Sequence, residues 1–283
     1  MQESKWSCLK IQEFFREKHA ENEAPSVGIP ALKAGQGCRK LKSVKISVVV
    51  PAFNEERLLG RSLAEIKSAA GAFARHGWEV ELIVCDNNST DRTAEIARDA
   101  GALVVFEPVN QIARARNRGA AAATGDWLIF VDADSRPSTE LFDEVAGQIV
   151  SGDCLAGGAT VRLDDCHWLA QGVNAFWNLL SRSFHLLAGS FIFCEAATFR
   201  KLGGFSEELF AGEELELSQR LKKQAGENGG RIVVLHRHPI ATSARKIYLY
   251  SFWEHFRLIT RAAFNRRILT SREACHLWYD GRR

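Results

Sequence analysis

The feature that most restricts what this chain can become is a series of short, β-branched apolar segments separated by helical patterns. Ile46-Ser47-Val48-Val49-Val50 leads into a helical stretch from Leu58 to Arg75. Val80-Glu81-Leu82-Ile83-Val84-Cys85 leads into another from Asp91 to Ala100, then come Ala102-Leu103-Val104-Val105-Phe106, a helical stretch from Arg114 to Thr124, and Trp127-Leu128-Ile129-Phe130-Val131. Strands that are apolar almost without interruption are buried on both faces, and alternation with helices supplies the cover. The pattern predicts an α/β fold with a largely parallel central sheet and helices on both faces. In such sheets ligands bind beyond the carboxyl ends of the strands, which directs attention to the loops after Val50, Cys85 and Val131.

Those loops read Pro51-Ala52-Phe53-Asn54-Glu55-Glu56, Asp86-Asn87-Asn88-Ser89-Thr90-Asp91 and Asp132-Ala133-Asp134. Helix capping by Asn54, Ser89 or Thr90 accounts for one polar residue in each. It does not account for so many carboxylates. Two hard oxygen ligands spaced as Asp132 and Asp134 suit Mg²⁺ or Mn²⁺, with the remaining metal positions open to water and a diphosphate. Acidic pairs at strand ends are also common as solvated turns, so the pair needs its context.

The context is a set of motifs. Val48-Val49-Val50-Pro51-Ala52-Phe53-Asn54-Glu55-Glu56, Asp86-Asn87-Asn88-Ser89-Thr90-Asp91, Ala115-Arg116-Asn117-Arg118-Gly119, Gly125 to Asp134 and Gly203-Gly204-Phe205 together resemble a family 2 glycosyltransferase of the GT-A fold, over roughly residues 45 to 240. The resemblance implies a nucleotide-binding half at about 44–135 and an acceptor half at about 136–240. It implies that Pro51, Phe53 and Glu55 line the nucleoside pocket, that Asp86 hydrogen-bonds the base, and that Arg116 lies close to it. The bare chemistry agrees: a carboxylate accepts from an imide N–H, as on uracil, and an aromatic ring suits stacking. At least one of Arg114, Arg116 and Arg118 is expected on a solvated helix face.

A catalytic base in this family comes from a Glu-Asp pair shortly after the Gly-Gly-Phe turn. Here the pair is Glu213-Glu214, with Glu214 the first choice as base and Glu213 the second. A glutamate in place of the aspartate adds a methylene of reach and keeps the proton chemistry. The same residues also read as the acidic first turn of a helix running to Arg220, Lys222 and Lys223. Leu186 to Phe193 resembles the acceptor-side segment. A third metal ligand can come from His236 or His238, although either can equally be a polar loop residue, and Arg245 and Lys246 are placed to meet a diphosphate. The implied activity is metal-assisted transfer from a nucleotide-diphosphate sugar, a UDP-sugar for preference, to an acceptor hydroxyl with inversion.

The rivals are a catalytically inactive sugar-nucleotide binder, which the Glu214 departure keeps open, and a nucleotidyltransferase, for which a Gly-rich, basic first loop is wanting. A dinucleotide-dependent oxidoreductase would need Gly-x-Gly-x-x-Gly where Pro51-Ala52-Phe53-Asn54 stands.

The ends are less informative. Residues 4–20 suggest an amphipathic helix and 21–43 a linker. Residues 241–283 form a basic-aromatic, helical tail whose arginines, with Tyr248, Trp253 and Phe256 among them, suit phosphates or a membrane surface. Trp168, Phe176, Trp177 and Phe184 can form an acceptor site, pack against the body or rest on a membrane carrying a lipid-linked acceptor. A net charge of +3 is too small to argue for nucleic acid. Seven scattered cysteines without a Cys-x-x-Cys pair signal neither zinc nor disulfides, and no stretch is apolar enough to span a bilayer or act as a signal. A cytoplasmic protein with room for peripheral membrane contact is the expectation.

Overall fold

The computed structural model describes residues 44–164, 167–245, 266–275 and 279, so the expected N-terminal helix and most of the tail lie outside the described residues. All of the described residues fall within one compact unit, 42–283.

The strands are β1 (Lys45–Ala52), β2 (Glu79–Asp86), β3 (Leu103–Phe106), β4 (Trp127–Val131), β5 (Ser135–Arg136), β6 (Cys154–Asp164), β7 (Phe191–Glu195) and β8 (Arg231–Ser243). The helices are α1 (Leu59–Ala69), α2 (Gly71–Ala74), α3 (Thr93–Asp99), α4 (Ile112–Ala122), α5 (Thr139–Ser151), α6 (Trp168–Phe184), α7 (Ala196–Lys201) and α8 (Glu213–Asn228), with a 3₁₀ turn at Arg266–Thr270. The sheet order is β3-β2-β1-β4-β7-β6-β8-β5.

The expectation of a largely parallel sheet is met in only part of the molecule. β3, β2, β1 and β4 are parallel, as the alternating sequence implied. The sheet is mixed beyond β4, because β7 runs antiparallel to both β4 and β6, and β5 antiparallel to β8. Only β6 and β8 pair in parallel there. The reversal has a useful result. The start of β7 lies opposite the end of β4, Phe191 beside Val131, so the loop before β7 shares one edge of the sheet with the ends of β1, β2, β4, β6 and β8.

Both faces of the sheet are covered. On one, Ile46, Val48 and Val50 meet Leu59, Leu63 and Ile66 of α1, Phe73 of α2 and Leu141, Phe142 and Val145 of α5. On the other, Val49, Leu128 and Phe130 meet Ala113 and Ala120 of α4, Phe199 of α7 and Leu217 and Leu221 of α8. α5 is bounded as its sequence dictates: the Ser138 hydroxyl accepts from Leu141 N–H at 3.2 Å, and Gly152 closes the helix in the left-handed conformation. α4 lies so close to β1 that a Cβ on Gly119 would sit 2.4 Å from Val49 Cγ1. That approach fixes the start of α4 at the edge where the loops gather.

Candidate active site

The first two loops are laced to each other before any ligand is considered. Asn54, at φ 52°, donates its N–H to the Ser89 hydroxyl at 3.1 Å and accepts Thr90 N–H at 2.8 Å. Glu55 N–H donates to Thr93 Oγ1 at 2.8 Å, and Glu56 N–H to Asp91 at 3.1 Å. Asn54 and Ser89 therefore bind across the loops and do not cap the helices that follow them. The carboxyl edge of β1 and β2 is thus a pre-organised wall.

Within that wall, Pro51, Phe53, Glu55, Asp132 and Asp134 line one cavity together with Asn87, Ile112 and Tyr279. Asp86 stands beside it, buried, with Oδ1 accepting Ser89 N–H at 3.0 Å. Glu55 is itself buried, and both of its oxygens accept from Arg245 Nη2 at 2.8 Å. Arg245, expected to meet a diphosphate, is thereby engaged with the loop after β1. Lys246 lies outside the described residues.

A second cavity adjoins the first and shares Ile112, Asp132 and Asp134 with it. Its other walls come from Gly189 and Ser190 before β7, Glu213 and Glu214 at the start of α8, and Thr242 and Ser243 at the end of β8. The two aspartates stand where the cavities meet.

Arg116, expected close to the base, lines the second cavity and organises this junction. Its side chain is buried, with Nη1 donating to Glu213 at 2.7 Å and Nη2 to Asp132 at 3.0 Å and to the Gly189 carbonyl at 2.9 Å. The guanidinium also lies 5.2 Å from the centre of the Phe205 ring, the phenylalanine of the Gly-Gly-Phe turn. Three segments distant in sequence therefore share one cation. Arg118 is the solvated member of its trio, while Arg114 pairs with Glu107 and Glu207.

This arrangement separates the two glutamates. Glu213 is committed to Arg116. Glu214 lines the cavity, and its carboxyl is pushed above the usual carboxylate range, first by burial and then by the neighbouring charge of Glu213. Both glutamates still form the acidic first turn of α8, so the helix-dipole reading holds alongside.

The residues fit a divalent cation with few protein ligands. Asp134 is buried without a cationic partner among the described residues, its nearest donors being the hydroxyls of Thr242 at 3.4 Å and Ser135 at 3.5 Å. A buried carboxylate in that state is short of positive charge. Among the described residues no group of three or more histidines, cysteines or carboxylates surrounds a common point, so further ligands would be water and substrate oxygens, as Mg²⁺ and Mn²⁺ accept. Neither histidine supplies the third ligand here. His238 Nδ1 is 2.6 Å from Glu144 on α5, and His236 lines a groove beside α6.

One contributor escaped the sequence. Tyr279 donates its hydroxyl to the Phe210 carbonyl at 3.0 Å and lines the first cavity, and one aromatic among several in a basic tail carries no signal for that role. The Ser190 hydroxyl, within the segment singled out as acceptor-side, is buried in the second cavity without a hydrogen-bond partner among the described residues.

Comparison with known proteins bears on the same edge. The model of glycosyl transferase family 2 matches residues 47–200, more than half of the chain and including Asp132 and Asp134 but not Glu213 and Glu214. The probable glycosyltransferase YdaM of Bacillus subtilis is 27% identical over 203 residues, 62% of this chain and 46% of that protein. The chain spans between about a quarter and about half the length of the curated relatives it matches. The mannosyltransferase PcManGT from Pyrobaculum calidifontis, in complex with GDP-Man and Mn²⁺, superimposes with a TM-score of 0.62 at 18% identity, over 94% of this chain and 71% of that one. Glucosyl-3-phosphoglycerate synthase from Mycobacterium tuberculosis, with Mn²⁺, UDP and glucosyl-3-phosphoglycerate, gives 0.56 at 21% identity, over 82% and 80%. At those identities the likeness is one of fold.

Proposed function

The chain belongs to glycosyl transferase family 2, and from that premise we propose that it moves a sugar from a nucleotide-diphosphate donor, a UDP-sugar, to an acceptor hydroxyl with inversion. The observation that carries this reading is the shared wall of the two cavities: Asp132 and Asp134 face both, and Glu214 lines the second. A donor lying across the aspartates would place its nucleoside in the first cavity, against Pro51 and Phe53, and its sugar toward the second.

Asp134 and Asp132 would hold Mn²⁺ or Mg²⁺, which when bound neutralises charge gathering on the departing diphosphate. The chain's own residues do the rest. Arg116 fixes Asp132 and Glu213 in position. Glu214 takes the proton of the acceptor hydroxyl as its oxygen bonds to the anomeric carbon, and the bond to the diphosphate breaks on the opposite face with its electron pair leaving on the phosphate oxygen. A carboxylate of raised pKa is a stronger base, and holding acceptor and donor in line supplies the remainder of the acceleration. Uracil is supported by the Asp86 carboxylate beside the first cavity and by the UDP in the mycobacterial structure, whereas PcManGT carries GDP-Man.

Calorimetric titration of the full chain with UDP and GDP, with and without Mn²⁺, tests this. The expected result is Mn²⁺-dependent binding of UDP that Asp134→Ala abolishes. Binding of neither nucleotide would overturn the reading in favour of an inactive relic of the fold, and preference for GDP would reassign the donor.

A further inference from the structure

Helix α6 sets polar side chains against the protein: Asn178 accepts Val161 N–H at 2.9 Å and donates to the Val161 carbonyl at 2.8 Å, and Asn174 donates to the same carbonyl at 2.7 Å. Val161 lies past the last β6–β7 pair, Gly158–Ile192, and beside the register shift between the β6–β8 pairs Ala159–Leu235 and Val161–Ile240, and the two asparagines satisfy its backbone. With the polar stripe used inward, the apolar stripe faces outward. Trp168, Val173, Phe176, Leu179 and Phe184 are each 58–69% exposed and fall within one half of the helix circumference. Only Trp177 of the aromatic segment packs partly against the core.

The charge beside this face is of one sign. The groove between α6 and the β6–β8 bulge has Arg162, Arg182 and His236 as its ionisable lining residues, and it holds no carboxylate. Neither arginine is ion-paired among the described residues, and Lys222 reaches the Phe184 carbonyl at the helix end. An apolar stripe rimmed by cations matches the surface of an anionic bilayer. A second copy of the chain fits less well. It would set like charges face to face, and five side chains so exposed offer roughly 500–600 Å² on the areas typical of such residues, against about 800 Å² per partner in a standard interface.

We propose that α6 is an interfacial helix that seats the protein on an anionic lipid surface, with Phe176 and Leu179 in the acyl boundary and Arg162 and Arg182 at the headgroup phosphates. Leu163 lines both the α6 groove and the cavity that holds Glu214, so the seated protein presents that cavity beside the lipid. No helix among the described residues is long and apolar enough to cross a membrane, so the contact is peripheral.

The test is co-flotation of the full chain with vesicles of phosphatidylcholine alone and with about a third phosphatidylglycerol, without donor or acceptor, so that it stands or falls apart from the transferase reading. The chain should float with the anionic vesicles, Phe176→Asp with Leu179→Asp should lower the bound fraction about tenfold, and Arg162→Glu with Arg182→Glu should weaken binding to the anionic vesicles only. Phe176→Leu, which keeps the apolar surface, should float like the parent. Absence of flotation, or flotation unchanged by the paired aspartates, overturns the proposal. So does a paired-aspartate variant that turns a dimer into a monomer in sedimentation, or that melts well below the parent, since either means that protein covers the face.

Discussion

Arg116→Met should unfold the molecule at a markedly lower temperature, and the structure gives the scale. The guanidinium is 1% exposed and Glu213 3%, so removing the cation leaves a carboxylate buried without compensation. Breaking a buried ion pair from one side costs about 3–5 kcal/mol. Asp132, whose side chain is 19% exposed, recovers water and adds little. Taking about 4 kcal/mol, and about 2–4 °C per kcal/mol for a domain of this size, the midpoint should fall by roughly 8–16 °C. Calorimetry on parent, Arg116→Met, Glu213→Gln and the double variant forms a cycle in which the double variant should recover about 2 kcal/mol or more relative to additivity. Additivity within about 0.5 kcal/mol, or a loss for Arg116→Met under about 1 kcal/mol, would refute the claim that this cation holds the site together.

Glu214→Gln should lower transfer by about 10²–10⁴-fold with UDP binding unchanged, read from turnover beside calorimetry; an equal loss of both would make Glu214 a binding residue. Because burial and Glu213 raise the Glu214 carboxyl, the limb of kcat/KM that rises with pH should lie above the usual carboxylate value of about 4.3, and a limb at that value would contradict the assignment. Gly119→Ala should cost about 1–3 kcal/mol, because its Cβ would meet Val49 Cγ1 at 2.4 Å, whereas Gly147→Ala, with open space at the same point of α5, should gain about 0.5–1 kcal/mol in the same denaturation assay.

The half of the fold built from β1 to β4 was legible because β1, β4 and the second half of β2 are buried on both faces and so wrote themselves as continuous apolar runs, while β3 keeps an apolar run at the sheet edge with Leu103 and Phe106 exposed. The reversal at β7 was not. Phe191–Glu195 has the same apolar character whichever way it runs, and its partners β4 and β6 are chosen by contacts far away in sequence. At the site, Asp132, Asp134 and Glu214 do converge, since strand ends and a helix start are local signals that a sheet edge collects. Arg116 and Glu55 were harder to read because their roles depend on partners 97 and 190 residues away, Glu213 and Arg245. His238 misled for the converse reason: a histidine near a strand end looks the same whether its neighbour is a metal or, as here, Glu144. The aromatic residues of α6 were visible in its sequence, but which stripe faces inward follows from the bonds of Asn174 and Asn178 to the Val161 backbone, a partner 13 and 17 residues away that leaves no local mark.

Arg245 and Tyr279 make the chain indivisible at the point where its sequence most invites division. A polypeptide ended at residue 240 would keep every motif of the family yet remove the Arg245 guanidinium from the Glu55 carboxylate, and the tyrosine hydroxyl that joins the Phe210 carbonyl and Ile112 N–H. The wall of the first cavity would then lose two of its ties before any ligand arrived. What looks like an appendage is the last course of masonry in that wall, and a graft of this fold onto another protein would have to carry it along.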